Sequence, residues 1–411
     1  MLDTMGSLFS SSMPSIYFIL FYRFKDRRLK LFIETLFEEC DVKSIEVRWG
    51  ELARHNPFIH PLWSMAWWEC YRTQDMQLRL MVVRNSAGEL VGLAPFYLRT
   101  SPILGRELRF LGDGTICSEY LSILAEPGME SEVATAIADY LHQTGQSERS
   151  GTWDLIDLDC FQHGDQAISL LRDYLSERGH ACHVDEVMGC WRVDFSEGWE
   201  AYLAKMSKSR RSKSRRLLKQ VVGGEPYQVK WVQRQAEIEE FINNLARLHQ
   251  ARWEGRGELG CFADPRFGKF MRQVASRAIQ NDMAHFLQLS YQGQPVSMQL
   301  GLRSASTIFS YLVGVDTTLN VDSPGTTMNA FLIHDGVSRG LTSLDFLRGD
   351  EPYKHNLRAE RVSTERLHVF ARYPLAHLRY RCWRTACEMK RLAKDWLKPK
   401  PKTALTIEQE A

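Results

Sequence analysis

Apolar runs of the β type, interrupted by polar turn residues, occur in two stretches that lie far apart in the chain. The first runs from Leu78 to Arg99 and the second from His285 to Arg303, and each contains a turn with a glycine, Gly88 or Gly293. Two β-type runs on both sides of a short glycine-containing turn are typical of a β-hairpin. The pattern therefore predicts two hairpins, with strands at Leu78–Arg84, Leu90–Leu98, His285–Leu289 and Val296–Leu302.

A helical pattern precedes each hairpin. Residues 61–71 place Trp63, Trp67 and Cys70 on one side of a helix, and residues 238–253 repeat apolar positions about every 3.6 residues. Further strand-like runs follow each hairpin, so the order helix, hairpin, strand, helix and strand occurs twice. We therefore expect an α/β protein with mixed sheets, made of two related units that join near Asp194 to Lys205.

Composition limits the classes of protein to consider. A chain of 411 residues, 44% of them apolar, exceeds what one hydrophobic core usually covers. The net charge of +2 argues against a protein that coats nucleic acid, and no specific nucleic-acid partner is expected. The nine cysteines include no CxxC pair, which indicates reduced thiols and a cytoplasmic location. No metal is expected, because the HACHV segment around Cys182 lacks the paired ligand spacing of a zinc site.

The two ends of the chain differ from the middle. The apolar run from Ile16 to Phe24 is too short to span a membrane, and residues 1–45 are expected to form an N-terminal extension. Residues 376–411 are expected to form a basic helix and a disordered tail that begins after Lys398. This helix carries apolar residues on one face among many cations, so two fates stay open. It packs against its own domain, or it lies on an anionic membrane surface at the inner face of the membrane. The apolar face consists of Leu375, Leu378, Trp383, Cys387 and Leu392.

A basic run follows the junction between the two units. Its eight cations, with no acid between them, are Lys205, Lys208, Arg210, Arg211, Lys213, Arg215, Arg216 and Lys219. A solvated helical face is the common meaning of such a run. The alternative is a surface that binds phosphates or an anionic substrate, for which Arg211 and Arg215 are the candidates.

The segment Ser323-Pro324-Gly325 predicts the start of a helix after a strand. Serine at the N-cap can accept a backbone N–H, and proline at the first helical position has no N–H to leave unpaired. The amides of Gly325, Thr326 and Thr327 would then form an anion site at the positive end of the helix dipole. A helix that is merely well capped remains the alternative. No GxxxxGK or HExxH motif occurs elsewhere in the chain.

The order of several segments resembles a known family. They are HNPFIHPLWSMAWW, GLAPFYL, LARLHQARWEGRG, VGVDTTLNVDSPGTTMNAFLIHDGVSRG and LDFLRGDEPYK. Together they resemble the GNAT-superfamily acetyltransferases of the CelD type, which are similar in fold to the FemABX peptidyltransferases. The resemblance runs from about Val47 to about Arg372. The set is specific, although each segment alone is weak.

The resemblance implies two tandem GNAT-like domains, residues 46–198 and 199–375, of which the second binds acetyl-CoA or another acyl-CoA. It also implies that two parallel strands, Phe309–Val315 and Ser343–Leu347, splay apart around the donor. The donor's pyrophosphate is then expected on Ser323, Gly325, Thr326 and Thr327. The Q/R-x-x-G-x-G/A loop of typical acetyltransferases is absent, and Gly325 alone stands in for it.

Acyl transfer needs a base for the acceptor's proton and an acid for the leaving thiolate. The loop after the last predicted strand offers Asp345 as base and Tyr353 as acid, with Lys354 beside them. Arg348 is a candidate for holding an anionic part of either substrate. Asp345 as a structural residue that pairs with Arg348 is an equally weighted alternative.

Residues at the end of the helix that begins the second unit complete the candidate site. Arg252 and Trp253 are expected to line the acceptor side, with Trp253 as a plain core residue the simpler alternative.

Two functional classes follow. The first is an acyltransferase acting on an amine or hydroxyl of a sugar, amino acid or peptide in polysaccharide or cell-envelope metabolism, with an aminoacyl-tRNA-dependent FemABX-like peptidyltransferase as its variant. The second is a non-catalytic scaffold that uses its basic segments to bind a membrane or a partner.

Overall fold

The computed structural model describes residues 20–23, 30–146, 153–255, 257–316, 318 and 323–397. The strands are β1 (Leu20–Arg23), β2 (Lys30–Leu36), β3 (Met76–Arg84), β4 (Leu90–Ser101), β5 (Gly105–Phe110), β6 (Leu124–Ala125), β7 (Leu155–Gln162), β8 (Ala181–Glu186), β9 (Cys190–Asp194), β10 (Tyr227–Trp231), β11 (Ala284–Tyr291), β12 (Gln294–Arg303), β13 (Thr307–Val315), β14 (Ser343–Arg348), β15 (Glu360–Val362) and β16 (Thr364–Phe370). The helices are α1 (Glu39–Val42), α2 (Glu46–Leu52), α3 (Pro61–Tyr71), α4 (Glu130–Thr144), α5 (Gln166–Glu177), α6 (Trp199–Ala204), α7 (Lys208–Val222), α8 (Ile238–Glu254), α9 (Pro265–Gln280), α10 (Pro324–Ser338), α11 (Pro352–Asn356) and α12 (Pro374–Leu397).

These strands form two mixed sheets. The first has the order β1-β2-β3-β4-β5-β7-β16-β8, with β6 beside β4, and the second has the order β10-β11-β12-β13-β14-β9-β15. Both predicted hairpins are confirmed, because β3 pairs antiparallel with β4 and β11 pairs antiparallel with β12. The mixed α/β class that the sequence predicts is therefore the observed one.

The two sheets contain the same central order of strands. In each, the hairpin leads to a third antiparallel strand, then a helix, then a strand parallel to the third. The parallel pairs are β5 with β7 and β13 with β14. This repetition confirms two related units in one chain.

The units exchange strands at the junction that the sequence predicts. β9 precedes residue 198 but pairs with β14 and β15 in the second sheet. β16 follows the second unit in the chain but lies between β7 and β8 in the first sheet. A boundary after residue 198 therefore does not separate the strands of the two sheets, and the domain division stays a prediction.

The N-terminal end differs from what the sequence predicts. β2 lies within the expected extension of residues 1–45, yet it pairs antiparallel with β3, and Leu31 and Ile33 on it are fully buried. Apolar alternation in a strand of this length supports burial of one face. Residues 1–19 and the tail after Leu397 lie outside the described residues. In the described part, no helix is both long and apolar enough to cross a membrane.

Candidate active site

A gap opens between two parallel strands of the second sheet. β13 and β14 pair from Thr307 with Ser343 to Phe309 with Asp345 and then part. The pairing of β13 with its other neighbour, β12, explains why the strands part. There Leu300 lies opposite Leu312, but the next residue, Gly301, lies opposite Ser310. The residue between them is Tyr311, an extra residue of the kind that bends a strand at a β-bulge.

A cavity of about 530 Å³ occupies this gap. Its floor is the free side of β13, with Ser310, Val313 and Val315, and its walls come from α7, α8, α10 and α11. The separation of the strands that the family resemblance implies is therefore present. It leaves the β14-facing edge of β13 after Phe309 without a paired strand.

The start of α10 forms one wall of the cavity, through Ser323, Pro324, Gly325 and Thr326. By helix geometry the N–H groups of Gly325 and Thr326 have no intrahelical acceptor, whereas that of Thr327 donates to the Ser323 carbonyl at 3.0 Å. Thr327 is also fully buried, so it drops out of the predicted anion site. A Cβ added at Gly325 would meet only Val315, at 3.6 Å, so the glycine keeps this wall open.

The predicted capping role of Ser323 is wrong. Its backbone is left-handed, with φ of 51°, and its side chain caps no helical N–H. Instead, the Lys213 Nζ donates to the Ser323 hydroxyl at 2.8 Å. The start of α10 is therefore tied to α7 and has a cation next to it.

The basic run supplies two cations to the cavity. Arg210 and Lys213 line it together with Met206 and Ser214. Arg210 lies three residues before Lys213 and four before Ser214 in α7, which places these three side chains on one face of the helix, whereas Met206 lies before α7. The predicted residues Arg211 and Arg215 do not line the cavity, and Arg215 pairs with Glu200 on the surface. The run carries cations on every side of the helix, so the sequence alone does not distinguish the two pairs.

The opposite end of the cavity is lined by Arg252, Tyr353 and Asn356. Tyr353 is partly exposed, and its ring packs edge-on against Phe346 with centroids 5.6 Å apart. Burial raises the pKa of the Tyr353 phenol, so the hydroxyl is protonated at neutral pH. The protonated hydroxyl can therefore donate a hydrogen bond into the cavity. Of the predicted residues, the structure brings Ser323, Gly325, Thr326, Arg252 and Tyr353 together around one space.

Trp253 follows Arg252 in the chain but points to a different environment. Its indole Nε1 donates to the His249 Nε2 at 2.9 Å, and it does not line the cavity. Adjacent residues on a helix point about 100° apart, which explains why only one of the pair reaches the site. Trp253 is only partly buried, so the simpler prediction of a plain core residue also stays a prediction.

Asp345 lies outside the cavity and is fully buried. Its Oδ2 accepts from the Tyr120 hydroxyl at 2.8 Å and from the Arg192 Nε at 2.9 Å. Its Oδ1 accepts from the Leu347 N–H at 2.8 Å. Burial raises the pKa of Asp345 while the Arg192 guanidinium opposes that rise. With both oxygens engaged by protein groups, its position argues against the role of a general base.

Lys354 is also a structural residue by its contacts. Its side chain is almost fully buried, and its Nζ donates to the carbonyls of Leu347, Arg348 and Gly349 at 3.2, 2.8 and 2.8 Å. Leu347 and Gly349 have φ of 56° and 107°, so this loop has an unusual backbone that the ammonium group holds together. A catalytic role for Lys354 has no support from this placement.

Arg348 joins the two units rather than facing a substrate. Its guanidinium pairs with the buried Glu119 of the first unit, and its Nη2 donates to the Cys160 Sγ at 3.0 Å. Sequence reasoning missed Glu119, Tyr120 and Arg192, because their partners lie more than one hundred residues away in the chain.

The corresponding place in the first unit is unsuited to an anion. Its helix α4 begins after Met129 and carries Glu130 and Glu132 in the first turn. Two carboxylates at the positive end of the helix would repel a phosphate. Arg109 on β5 pairs with Asp113 and Asp157 at 2.6 and 2.5 Å, so its charge is already opposed by two carboxylates. The second unit is therefore the one that can receive a phosphorylated donor.

A second and larger cleft, of about 900 Å³, lies between α1 to α3 and the end of α9. It carries carboxylates such as Glu46 and Glu69, and Glu69 already pairs with Arg277 at 2.7 Å. Unlike the cavity beside β13, this cleft does not combine the start of a helix with a pair of separated strands. In the described part, no group of three or more His, Cys, Asp or Glu side chains is arranged to hold a metal ion.

Comparison with protein families points to the unit that contains the cavity. Residues 208–355 match the family model described as an acetyltransferase (GNAT) domain. This span begins with α7 and ends just after Tyr353, so it contains most of the lining of the cavity. No curated protein matches the chain.

Solved structures resemble this chain at low sequence identity, and that of FemX shows the same overall fold. The structure of FemX is 12% identical, with a TM-score of 0.56, and the match covers 78% of this chain and 95% of that chain. L-PGS from Bacillus licheniformis is 14% identical, with 79% and 96% covered and a TM-score of 0.45. A tandem GNAT protein from the clavulanic acid biosynthesis pathway is 12% identical, with 83% and 99% covered and a TM-score of 0.42. The family match and the repeated strand order give a GNAT-like fold with two units, whereas membership of the CelD type stays a prediction.

Proposed function

We propose that this chain is an acyltransferase whose acyl-CoA donor binds in the cavity between β13 and β14. The observation that carries the proposal is the meeting of three features in one space. These are the separated strands, the open start of α10, and the cations Arg210 and Lys213. The match of residues 208–355 to a GNAT acetyltransferase domain supports the same assignment.

Each feature has a separate role toward the donor. The N–H groups of Gly325 and Thr326 and the positive end of α10 attract the pyrophosphate. Arg210 and Lys213 add charge-assisted hydrogen bonds to the same phosphates. The unpaired edge of β13 offers backbone groups to the amides of an extended donor arm, as one strand does to another.

The chemistry takes place at the end of the cavity near Tyr353. An amine or hydroxyl of the acceptor attacks the thioester carbonyl, a bond from carbon to nitrogen or oxygen forms, and the bond from carbon to sulfur breaks. The leaving thiolate takes the proton of the Tyr353 hydroxyl, and the proton that the attacking amine or hydroxyl loses passes to the Tyr353 oxygen, which regenerates the phenol. Tyr353 thus retains its predicted role of general acid, and Asp345 and Lys354 are not part of the proposal.

Arg252 lies beside Tyr353 and is the cation nearest the expected acceptor. Its guanidinium suits an acceptor with a carboxylate or phosphate near the reacting group. The proposed acceptor is therefore a sugar, amino acid or peptide that carries such a group, as used in polysaccharide or cell-envelope metabolism. The acyl group is acetyl or another group that fits between the strands.

A second candidate donor is an aminoacyl-tRNA, and one observation favours it. Four cations of α7 outside the cavity are exposed, and they continue the charge of Arg210 and Lys213 across the surface. They are Lys208, Arg215, Arg216 and Lys219. Such a surface suits the long phosphate backbone of an RNA better than one CoA.

Calorimetric titration of acetyl-CoA tests the proposed donor. Gly325→Val fills the open wall at the start of α10, so we expect the dissociation constant to rise about tenfold or more as the phosphate contacts are lost. Gly268→Val is the matched control, because Gly268 also lies near the start of a helix, in α9, and a Cβ there would meet the end of the flexible Arg272 side chain and the edge of Phe262 at 4.0 Å.

The outcomes separate the three possibilities. Saturable binding that Gly325→Val weakens and Gly268→Val leaves intact supports the acyl-CoA donor. Absence of acetyl-CoA binding, together with tight binding of a charged tRNA, favours the second candidate. Absence of binding to either donor leaves the scaffold as the remaining function.

A further inference from the structure

The C-terminal helix α12 packs against the first sheet through one side only. Trp383 contacts His368 and Phe370 with ring centroids 4.8 and 5.3 Å apart, and Tyr380 contacts Phe370 at 4.9 Å. Arg379 pairs with the buried Asp154 on the same side. These contacts fix the start of the helix to β16 and complete its packing.

A different side of α12 exposes apolar residues to solvent. Leu375, Leu378 and Met389 are 42%, 56% and 65% exposed. With Cys382 and Ala386, which are also exposed, they repeat at intervals of three or four residues. We call these five residues the outer stripe. The sequence pattern predicts that Trp383 shares the face of Leu375 and Leu378, but the structure turns Trp383 inward, and so the outer stripe is not needed for packing.

Cations accompany the outer stripe along the chain. Arg381 and Arg384 are exposed beside it. From Lys390 to Lys402 the sequence carries six Lys or Arg residues against the single acid Asp395. An exposed apolar row next to a large excess of positive charge has the chemistry of a helix that lies on an anionic lipid surface.

We propose that the outer stripe of α12 binds an anionic membrane surface. A second copy of this chain is the less suitable occupant, because pairing two such helices brings an excess of cations together, and the neighbouring acid Glu388 already pairs with Arg384 of its own helix. The negative headgroups of a bilayer neutralise these cations, while its acyl region takes up the leucine and methionine side chains. This proposal does not depend on the acyltransferase assignment, since α12 lines none of the cavity.

Sedimentation with lipid vesicles tests the proposal. The full chain is mixed with vesicles of phosphatidylglycerol and phosphatidylcholine, or of phosphatidylcholine alone. We expect binding to the first and much weaker binding to the second, with a loss of binding as salt is raised. The double variant Leu378→Ser and Met389→Ser should bind anionic vesicles about tenfold less tightly or worse, since each buried apolar side chain contributes strongly.

The control replaces apolar residues that are at least as exposed but lie elsewhere. Val47 and Leu259 are 78% and 85% exposed, and the double variant Val47→Ser and Leu259→Ser should bind vesicles like the parent. Circular dichroism melting of each variant shows whether the fold is intact. Equal loss in both double variants overturns the proposal. Equal binding of the parent to neutral and anionic vesicles also overturns it. A third contradicting result is a dimer in solution that the Leu378→Ser and Met389→Ser variant loses, together with no binding of the parent to lipid.

Discussion

At Tyr353 a phenol with a raised pKa faces the end of the cavity next to Arg252. Tyr353→Phe removes the hydroxyl and keeps the ring against Phe346. We expect kcat to fall roughly 10²–10⁴-fold, the usual effect of losing a general acid, with the acetyl-CoA dissociation constant unchanged. The measurement is CoA release with an acceptor that the parent uses.

Tyr174→Phe is the control for this substitution. The Tyr174 hydroxyl donates to Asp139 at 2.6 Å on the surface of the first unit, away from the cavity. The Tyr174→Phe variant should have the same kcat as the parent. A Tyr353→Phe variant with the parent's kcat would remove the general acid from the proposal.

Glu119 gives a second test at the scale of one residue. Burial raises the pKa of its carboxyl to about 7, and this effect outweighs the pairing with Arg348 because the second oxygen, Oε2, has no partner. In the unfolded chain the pKa is near the ordinary 4.5. Between these two values the folded protein holds more protons, so the free energy of unfolding falls as pH rises.

Glu119→Gln removes this dependence. From about pH 5 to about pH 8 the parent should lose up to about 3 kcal/mol more unfolding free energy than the variant. Denaturant titration at several pH values measures the difference, and the variant serves as reference for all other titrating groups. Parallel pH curves for the two proteins would show that Glu119 titrates normally.

Among the elements, the hairpins were the most predictable. The apolar runs of β3, β4, β11 and β12 are local signals, and the turn glycines Gly88 and Gly293 both have the positive φ that their turns need. The exchange of β9 and β16 could not be predicted, because strand pairing between distant segments leaves no periodic signal in either strand. The same limit explains Asp345, whose partners Tyr120 and Arg192 come from elsewhere in the chain.

The candidate site was predictable where the signal was local. The proline and glycine at the start of α10 predict a helix start that lines the cavity, and the charge of α7 predicts an anion-binding surface beside it, two of whose cations line the same cavity. Which cations of α7 face the cavity depends on packing of the helix, so Arg211 and Arg215 were chosen in place of Arg210 and Lys213. The left-handed Ser323 also follows from packing, since the Lys213 ammonium holds its hydroxyl.

For the whole molecule, the exchanged strands and the contacts between the units predict one cooperative unfolding transition. Trp63 of α3 packs on Phe270 of α9 with centroids 4.9 Å apart, and Phe58 packs on Phe309 at 5.7 Å. Trp63→Ala should destabilise the protein by about 3–5 kcal/mol, as for other large core residues. Because the units are coupled, it should shift a single calorimetric peak. Two peaks, of which only one moves, would show units that unfold separately.

The central claim is that the gap between β13 and β14 holds the acyl donor, and a crystal structure of the chain with CoA tests it most directly. The account predicts CoA in that gap, with its pyrophosphate at Gly325 and Thr326, Arg210 and Lys213 on its phosphates, and its sulfur near Tyr353. CoA bound in the cleft beside α1 to α3, or at the start of α4, would contradict it.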